Sequence, residues 1–138
     1  MTKTAYLTDL SPIVTLTNGK KVANFSSPHE FRFTDGTVLP AHDADTANAL
    51  KIEFIETELN DKGDIMLEFE LTEGVRDAIV RYAFLYELKA VDVVFCPLPM
   101  ITALKDTYGR EWLLSSPFRA VRIEDRINKL VSIDKQCI

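Results

Sequence analysis

Two cysteines in 138 residues, Cys96 and Cys137, cannot build a disulfide framework, so an apolar core has to hold the fold. Long hydrophobic runs are missing as well, and no stretch approaches the roughly 18 apolar residues of a membrane span. The opening Met1-Thr2-Lys3-Thr4-Ala5-Tyr6-Leu7 is too polar for a signal peptide. The expectation is a cytoplasmic protein with no membrane partner. There is no Gly-rich phosphate loop ending in Gly-Lys-Ser/Thr, no Gly-x-Gly-x-x-Gly and no Gly-x-Ser-x-Gly elbow. Cys-x-x-Cys and His-x-x-x-His pairs are also absent, so no cofactor and no structural zinc is expected. No repeat, low-complexity tract or linker divides the chain, which reads as one domain over 1–138.

What is present suits a globular core. The hydrophobic fraction is 46%, and eight Phe, four Tyr and one Trp supply much apolar area to bury. The formal charge of −5 repels nucleic acid at long range, so DNA is not an expected partner. That charge is uneven. Residues 43–73 hold ten acids and two lysines, a net of −8, whereas residues 119–135 hold five basic and three acidic residues, a net of +2. An anionic ligand would favour the C-terminal segment.

The first third reads as hairpins. Residues 13–17 run into Asn18-Gly19, a pair suited to a type I′ turn, and the chain returns over 20–25. A second hairpin joins residues 31–34 to 37–39 through Asp35-Gly36 and stops at Pro40. A short helix is predicted over 43–50, capped by Asp43 or Asp45, then a strand over 51–59 and a turn at Asn60-Asp61-Lys62-Gly63. Ile65, Leu67, Phe69 and Leu71 alternate with Met66, Glu68 and Glu70, which predicts a strand with one covered face. Thr72 caps a helix whose stripe is Val75, Ala78, Ile79, Tyr82, Ala83 and Tyr86. Residues 91–96 form a buried strand, 100–107 a helix, 118–123 a strand and 130–133 a final strand. The fold class is α+β: N-terminal antiparallel hairpins, then β-α-β-α-β over 64–123 with its three strands parallel, and a last strand. These make a single mixed sheet or two small ones.

Ligands in parallel sheets lie beyond the carboxyl ends of strands, near helix N-termini. Those ends are Thr72-Glu73-Gly74, Cys96-Pro97-Leu98-Pro99 and Glu124-Asp125-Arg126. The middle loop enters a helix whose first turn offers the Met100, Ile101 and Thr102 amides and the Thr102 hydroxyl. Arg126 suits a bidentate phosphate contact, and Asp125 can accept from a sugar hydroxyl or a base. A plainer reading makes Pro97 and Pro99 strand terminators and pairs Arg126 with Glu124 or Asp125 at the surface. Cys96, just before a helix, has the position of a nucleophile, but no arginine follows it over 98–104, and a small buried hydrophobe is the ordinary alternative. His29 and His42 bracket the second hairpin and with Cys96 or Cys137 make up a mixed zinc set. Asp43, Asp45 and His42 make up a magnesium set, although first-turn acids serve the helix dipole without any metal. Trp112, beside Leu113 and Leu114, is either a partner patch or a plug over the core.

The C-terminal half carries a resemblance. Asp92-Val93-Val94-Phe95-Cys96-Pro97-Leu98-Pro99-Met100-Ile101-Thr102-Ala103-Leu104 and Phe118-Arg119-Ala120-Val121-Arg122-Ile123-Glu124-Asp125-Arg126-Ile127 resemble small accessory proteins encoded by tailed bacteriophages, with Asp35-Gly36-Thr37-Val38-Leu39-Pro40 adding to the likeness. Proteins of that kind include inhibitors of host immunity, among them sponges that sequester signalling nucleotides without cleaving them. The resemblance implies a homo-oligomeric, non-catalytic binding protein that captures a small anionic ligand such as a host immune signalling nucleotide. Arg126 and Arg122 would neutralise phosphate, and residues 98–102, with Leu98 and Thr102 at their ends, would donate amides. Asp125 would read a hydroxyl or a base, and Phe33 or Tyr108 would stack on the base. Strand alternation can separate Arg122 from Arg126. The alternative is a protein-binding phage component, either a virion or assembly protein or an inhibitor of a host enzyme, with hairpins supplying the contact. Exposed Trp112 or hairpin apolars favour it, as would the lack of a pocket at the strand ends. A third reading is a hydrolase using Asp43, Asp45 and His42 around a metal.

Overall fold

The structure is a computed structural model and describes residues 13–42 and 53–138. The helix expected over 43–50, with Asp43 and Asp45, lies outside the described residues.

Each hairpin grows from its turn. β1 (Val14–Thr15) and β2 (Lys21–Asn24) pair antiparallel around Thr17, Asn18 and Gly19. The Leu16 amide donates to Lys20 O, the Gly19 amide donates to Leu16 O, and Gly19 sits at φ 88°. This is a three-residue loop ending in a left-handed glycine, not the two-residue type I′ turn that Asn-Gly suggests. β3 (Phe31–Phe33) and β4 (Val38–Leu39) repeat it, with the Phe33 amide bonded to Thr37 O, the Gly36 amide to Phe33 O, and Gly36 at φ 90°.

The remaining elements are β5 (Glu53–Glu58), β6 (Ile65–Glu70), α1 (Glu73–Glu87), β7 (Val93–Phe95), α2 (Leu98–Tyr108), α3 (Arg110–Ser115), β8 (Phe118–Asp125) and β9 (Leu130–Cys137). Seven strands form one mixed sheet in the order β1-β2-β7-β8-β9-β3-β4, while β5 and β6 pair only with each other among the described residues. The α+β class expected from the sequence is the one observed. The parallel trio differs: β2, β7 and β8 run parallel, and β6 is not among them. The reason lies in burial. All three β7 residues are buried, as a central parallel strand requires. An alternating strand such as Ile65–Glu70, following a Gly-containing turn, satisfies its backbone in a local hairpin instead.

Both faces of the large sheet are covered. On one, Ala23, Phe25, Val94, Cys96, Phe118 and Ala120 pack against Val75, Ala78, Ile79 and Tyr82 of α1, Met100, Ile101, Ala103 and Leu104 of α2, and Leu113 of α3. On the other, Val22, Val93 and Phe95 meet Leu16, Phe33, Leu39 and Val131, so this face is covered by the sheet's own edges. The sheet curls to allow that. The Thr17 amide donates to Asp35 Oδ2 at 2.8 Å, and Asn24 Nδ2 donates to Pro40 O at 3.1 Å, tying one edge hairpin to the other. Register irregularities between Val121 and Asp125 bend β8, as bulges do. Among the described residues, no helix is long and apolar enough to cross a membrane.

Candidate functional site

The carboxyl ends of β2 and β7 open into a cleft of about 340 Å³, at the place where the sequence put a ligand edge. Cys96, just past β7, with Ala120 and Val121 on β8 and Cys137 on β9, lines it together with Pro97 and Leu98 at the start of α2 and Phe31 and Ser27. The Cys96 amide donates to Arg119 O, and Ala120 pairs with Cys137. The Cα atoms of the two cysteines are therefore two strand spacings apart, roughly 9–10 Å, too far for a disulfide, and both cysteines are free. Burial pushes the Cys96 thiol up, against the smaller opposing pull of the Arg119 backbone amide. A neutral thiol is a poor nucleophile, and the burial of Cys96 fits a packing role in the cleft wall.

Of the polar atoms assigned to anion binding at this edge, the Met100 and Ile101 amides and the Thr102 hydroxyl are engaged within the helix. Pro97 O accepts from the Met100 and Ile101 amides at 3.0 and 3.2 Å. Pro99 has no N–H, and the Thr102 hydroxyl donates to Leu98 O at 3.2 Å. Leu98 itself is 62% exposed at the rim.

The basic candidates lie elsewhere. The cleft is lined along β8 as far as Val121, and β8 continues for four more residues to Asp125, placing its terminal turn roughly 13 Å further on. Asp125 there organises the turn: it accepts from the Ile127 and Asn128 amides and from Asn128 Nδ2. The Asn128 side-chain and backbone bonds hold its carboxyl below the usual range. Arg122 faces Glu124 at 3.9 Å, and Arg126 stands exposed in the turn. Phe33 is only 1% exposed within the second core, so it offers no stacking face. Tyr108 packs against Trp112 on the helical side, with ring centroids 4.4 Å apart and the ring planes tilted by 33°. Leu98 thus lines the cleft with Thr102 one turn further along α2, Arg122 follows the cleft residue Val121 on β8, Asp125 and Arg126 share the turn beyond it, and Phe33 and Tyr108 belong to neither place.

The zinc set fares no better as geometry, while Asp43 and Asp45 of the magnesium set lie outside the described residues. His42 is buried and its Nδ1 accepts the Ser26 amide at 2.8 Å, while His29 is exposed. Among the described residues no group of three or more His, Cys, Asp or Glu could hold a metal ion.

The sequence reading also passed over a surface. Residues 53–70, the β5–β6 hairpin with its turn, contain seven acids and one lysine. The alternation of β6 suggested a covered face, yet Ile65 and Leu67 are 45% and 58% exposed. Ile55 and Met66 are exposed on the other face, so both faces mix apolar side chains with carboxylates. Register explains the mixture: Leu67 lies opposite Glu56, Ile65 opposite Glu58, and Ile55 opposite Glu68. The available signal was the acidic count from 53 to 73 combined with a turn at Asn60-Asp61-Lys62-Gly63.

Comparison with protein-family models, with characterised proteins and with solved structures finds no match to this chain.

Proposed function

We propose that this chain is a non-catalytic protein-binding module whose β5–β6 hairpin docks on a partner surface bearing basic residues around an apolar patch. The observation that carries this reading is the hairpin itself, a two-stranded sheet with apolar side chains exposed on both faces among seven acids. An isolated two-stranded hairpin is marginally stable in water and gains from cover, and its carboxylates steer a basic partner toward it. In the phage-type setting that the resemblance implies, the partner is a host enzyme or another virion component. A homo-oligomer would carry several hairpins and bind repeated sites with avidity.

The test places a photo-crosslinker at Met66, with Arg32 on the far hairpin as control, and identifies the conjugates by mass spectrometry. Saturable crosslinking to one protein from Met66 alone is expected. Unlabelled wild type should compete it away, and a chain with Glu56→Lys, Glu58→Lys and Glu68→Lys should not. Equal competition by that variant would remove the hairpin from the interface.

A second reading keeps the small-molecule ligand and rests on the cleft at the β2 and β7 ends. Its apolar walls and thiols suit a base or acyl group better than a phosphate, so an anionic ligand such as a nucleotide would have to reach outward toward Arg32 or Arg126 for its charge. Native mass spectrometry after incubation with nucleotide extract separates the readings. A nucleotide retained by wild type and lost from an Ala120→Trp variant supports sequestration.

A further inference from the structure

We propose that α1 is the contact face of a twofold-symmetric homodimer in which the helix packs antiparallel against its own copy. This deepens the oligomer part of the reading above and rests on nothing else in it. α1 lines one wall of a groove of about 470 Å³ with Arg76, Val80, Ala83, Phe84 and Glu87, together with Ile79, which is only 5% exposed and also belongs to the core. Tyr108 and Trp112 form its other wall. The spacing i, i+3, i+4, i+7, i+8, i+11 is a single helical stripe. Two members are large apolar side chains left in water, Val80 at 67% and Phe84 at 59% exposure. An ordinary helix covering a sheet places polar residues there.

The stripe reads the same about its middle. Midway between residues 81 and 82, Arg76 mirrors Glu87, Ile79 mirrors Phe84, and Val80 mirrors Ala83. A twofold axis through that point sets the cation of each copy against the anion of the other. It also sets a large apolar side chain against a smaller one at both inner levels. Ala83, next to the crossing point, leaves room for the facing Val80 at the 8–10 Å helix separation of close packing. Phe84 of one copy then enters the groove between Ile79 and the Tyr108–Trp112 pair of the other. The Arg76 guanidinium is held in place by Nε donating to Leu71 O at 3.2 Å, which leaves its terminal nitrogens for the partner carboxylate. A parallel copy in the same register would instead oppose Arg76 to Arg76 and Glu87 to Glu87. The charge pattern therefore selects the isologous antiparallel pair.

The experiment is sedimentation equilibrium on the full chain, with circular dichroism to confirm folding of each variant. Wild type is expected to sediment at twice the 15.6 kDa chain mass. Phe84→Glu should give a folded monomer. Arg76→Glu and Glu87→Arg should each weaken the dimer roughly tenfold or more, and the double reversal should bring it back toward wild type. That rescue is something a merely structural role would not produce. A wild type still monomeric at about 100 µM overturns the proposal, because standard-size interfaces associate well below that concentration. A dimer indifferent to Phe84→Glu overturns it too, as does a charge reversal without rescue. Occupation of the groove by a different protein, with no self-association, has the same consequence. None of these results bears on the hairpin, whose crosslinking test is separate.

Discussion

Asp35 shows how one side chain can join two distant loops. Its two carboxylate oxygens accept the Thr17 and Thr37 amides, both at 2.8 Å. Desolvation pulls the carboxyl upward, but the bonds from Thr17 and Thr37 together outweigh it and bring the pKa from 3.8 to about 2. A folded value below the unfolded one stabilises the protein above the unfolded pKa, and that contribution is lost as pH falls through about 2. Asp35→Asn should therefore cost on the order of 1 kcal/mol at neutral pH, after allowing for solvent screening of this partly exposed group. Urea titrations of both chains should show the difference shrinking between about pH 4 and pH 2; a difference independent of pH would refute the linkage. Cys96 gives a second residue-scale prediction. Native protein should react with a thiol-specific dye at Cys137 first, and Cys96, buried with its pKa raised, should label only on unfolding. Rapid labelling of both thiols in the native state would contradict this placement. Thr72, Asp35-Gly36 and the buried run over 91–96 were legible as residues because their meaning is local. Phe33 and Asp125 were not: an aromatic and an acid are ligand groups or structural groups according to what surrounds them.

Among the elements, α1 begins where Thr72 Oγ1 accepts the Val75 amide at 3.3 Å. Thr72→Ala should lower stability by about 1 kcal/mol, read from the midpoint of denaturant unfolding, while Thr72→Ser should change little. β5–β6 and β7 stand at opposite ends of local stability. β7 is wholly buried between two parallel neighbours, and the described side chains of the hairpin are exposed. Hydrogen exchange should release the β5–β6 amides far sooner than those of Val93, Val94 and Phe95, and binding of the partner proposed for the hairpin should narrow that gap. The short helix Arg110–Ser115 was not anticipated. It starts directly after Gly109, so no separate run of periodic positions announces it. Its carbonyl end is held by the Arg119 guanidinium, which donates to Leu113 O, Leu114 O and Ser116 O across an intervening turn. The sequence also underestimates β9, which extends to Cys137 because β8 runs alongside it. A strand's length depends on its partner as well as on its own residues.

For the whole molecule, closure of the curled sheet depends on a polar group inside the core. Asn24, fully buried, donates through Nδ2 to the carbonyls of Ser27, His29 and Pro40 and accepts the Ser27 amide through Oδ1. Asn24→Ala leaves those groups without their partner and should cost about 2–4 kcal/mol with a loss of cooperativity. An unfolding midpoint unchanged by the substitution would show that the edges close without it. The α+β class, the positions of both glycine turns, the cap at Thr72 and the acidic and basic division of the chain were determined by the sequence alone. Each follows from backbone preference or from residue periodicity, which act over a few positions. Tertiary structure decided the rest. It placed β2 beside β7 and sent β6 into its own hairpin. It carried Asp125 and Arg126 away from the Cys96 cleft, and it left Val80 and Phe84 in water. These outcomes turn on which strand faces are covered by distant segments, a property of the packed whole to which no local pattern is sensitive.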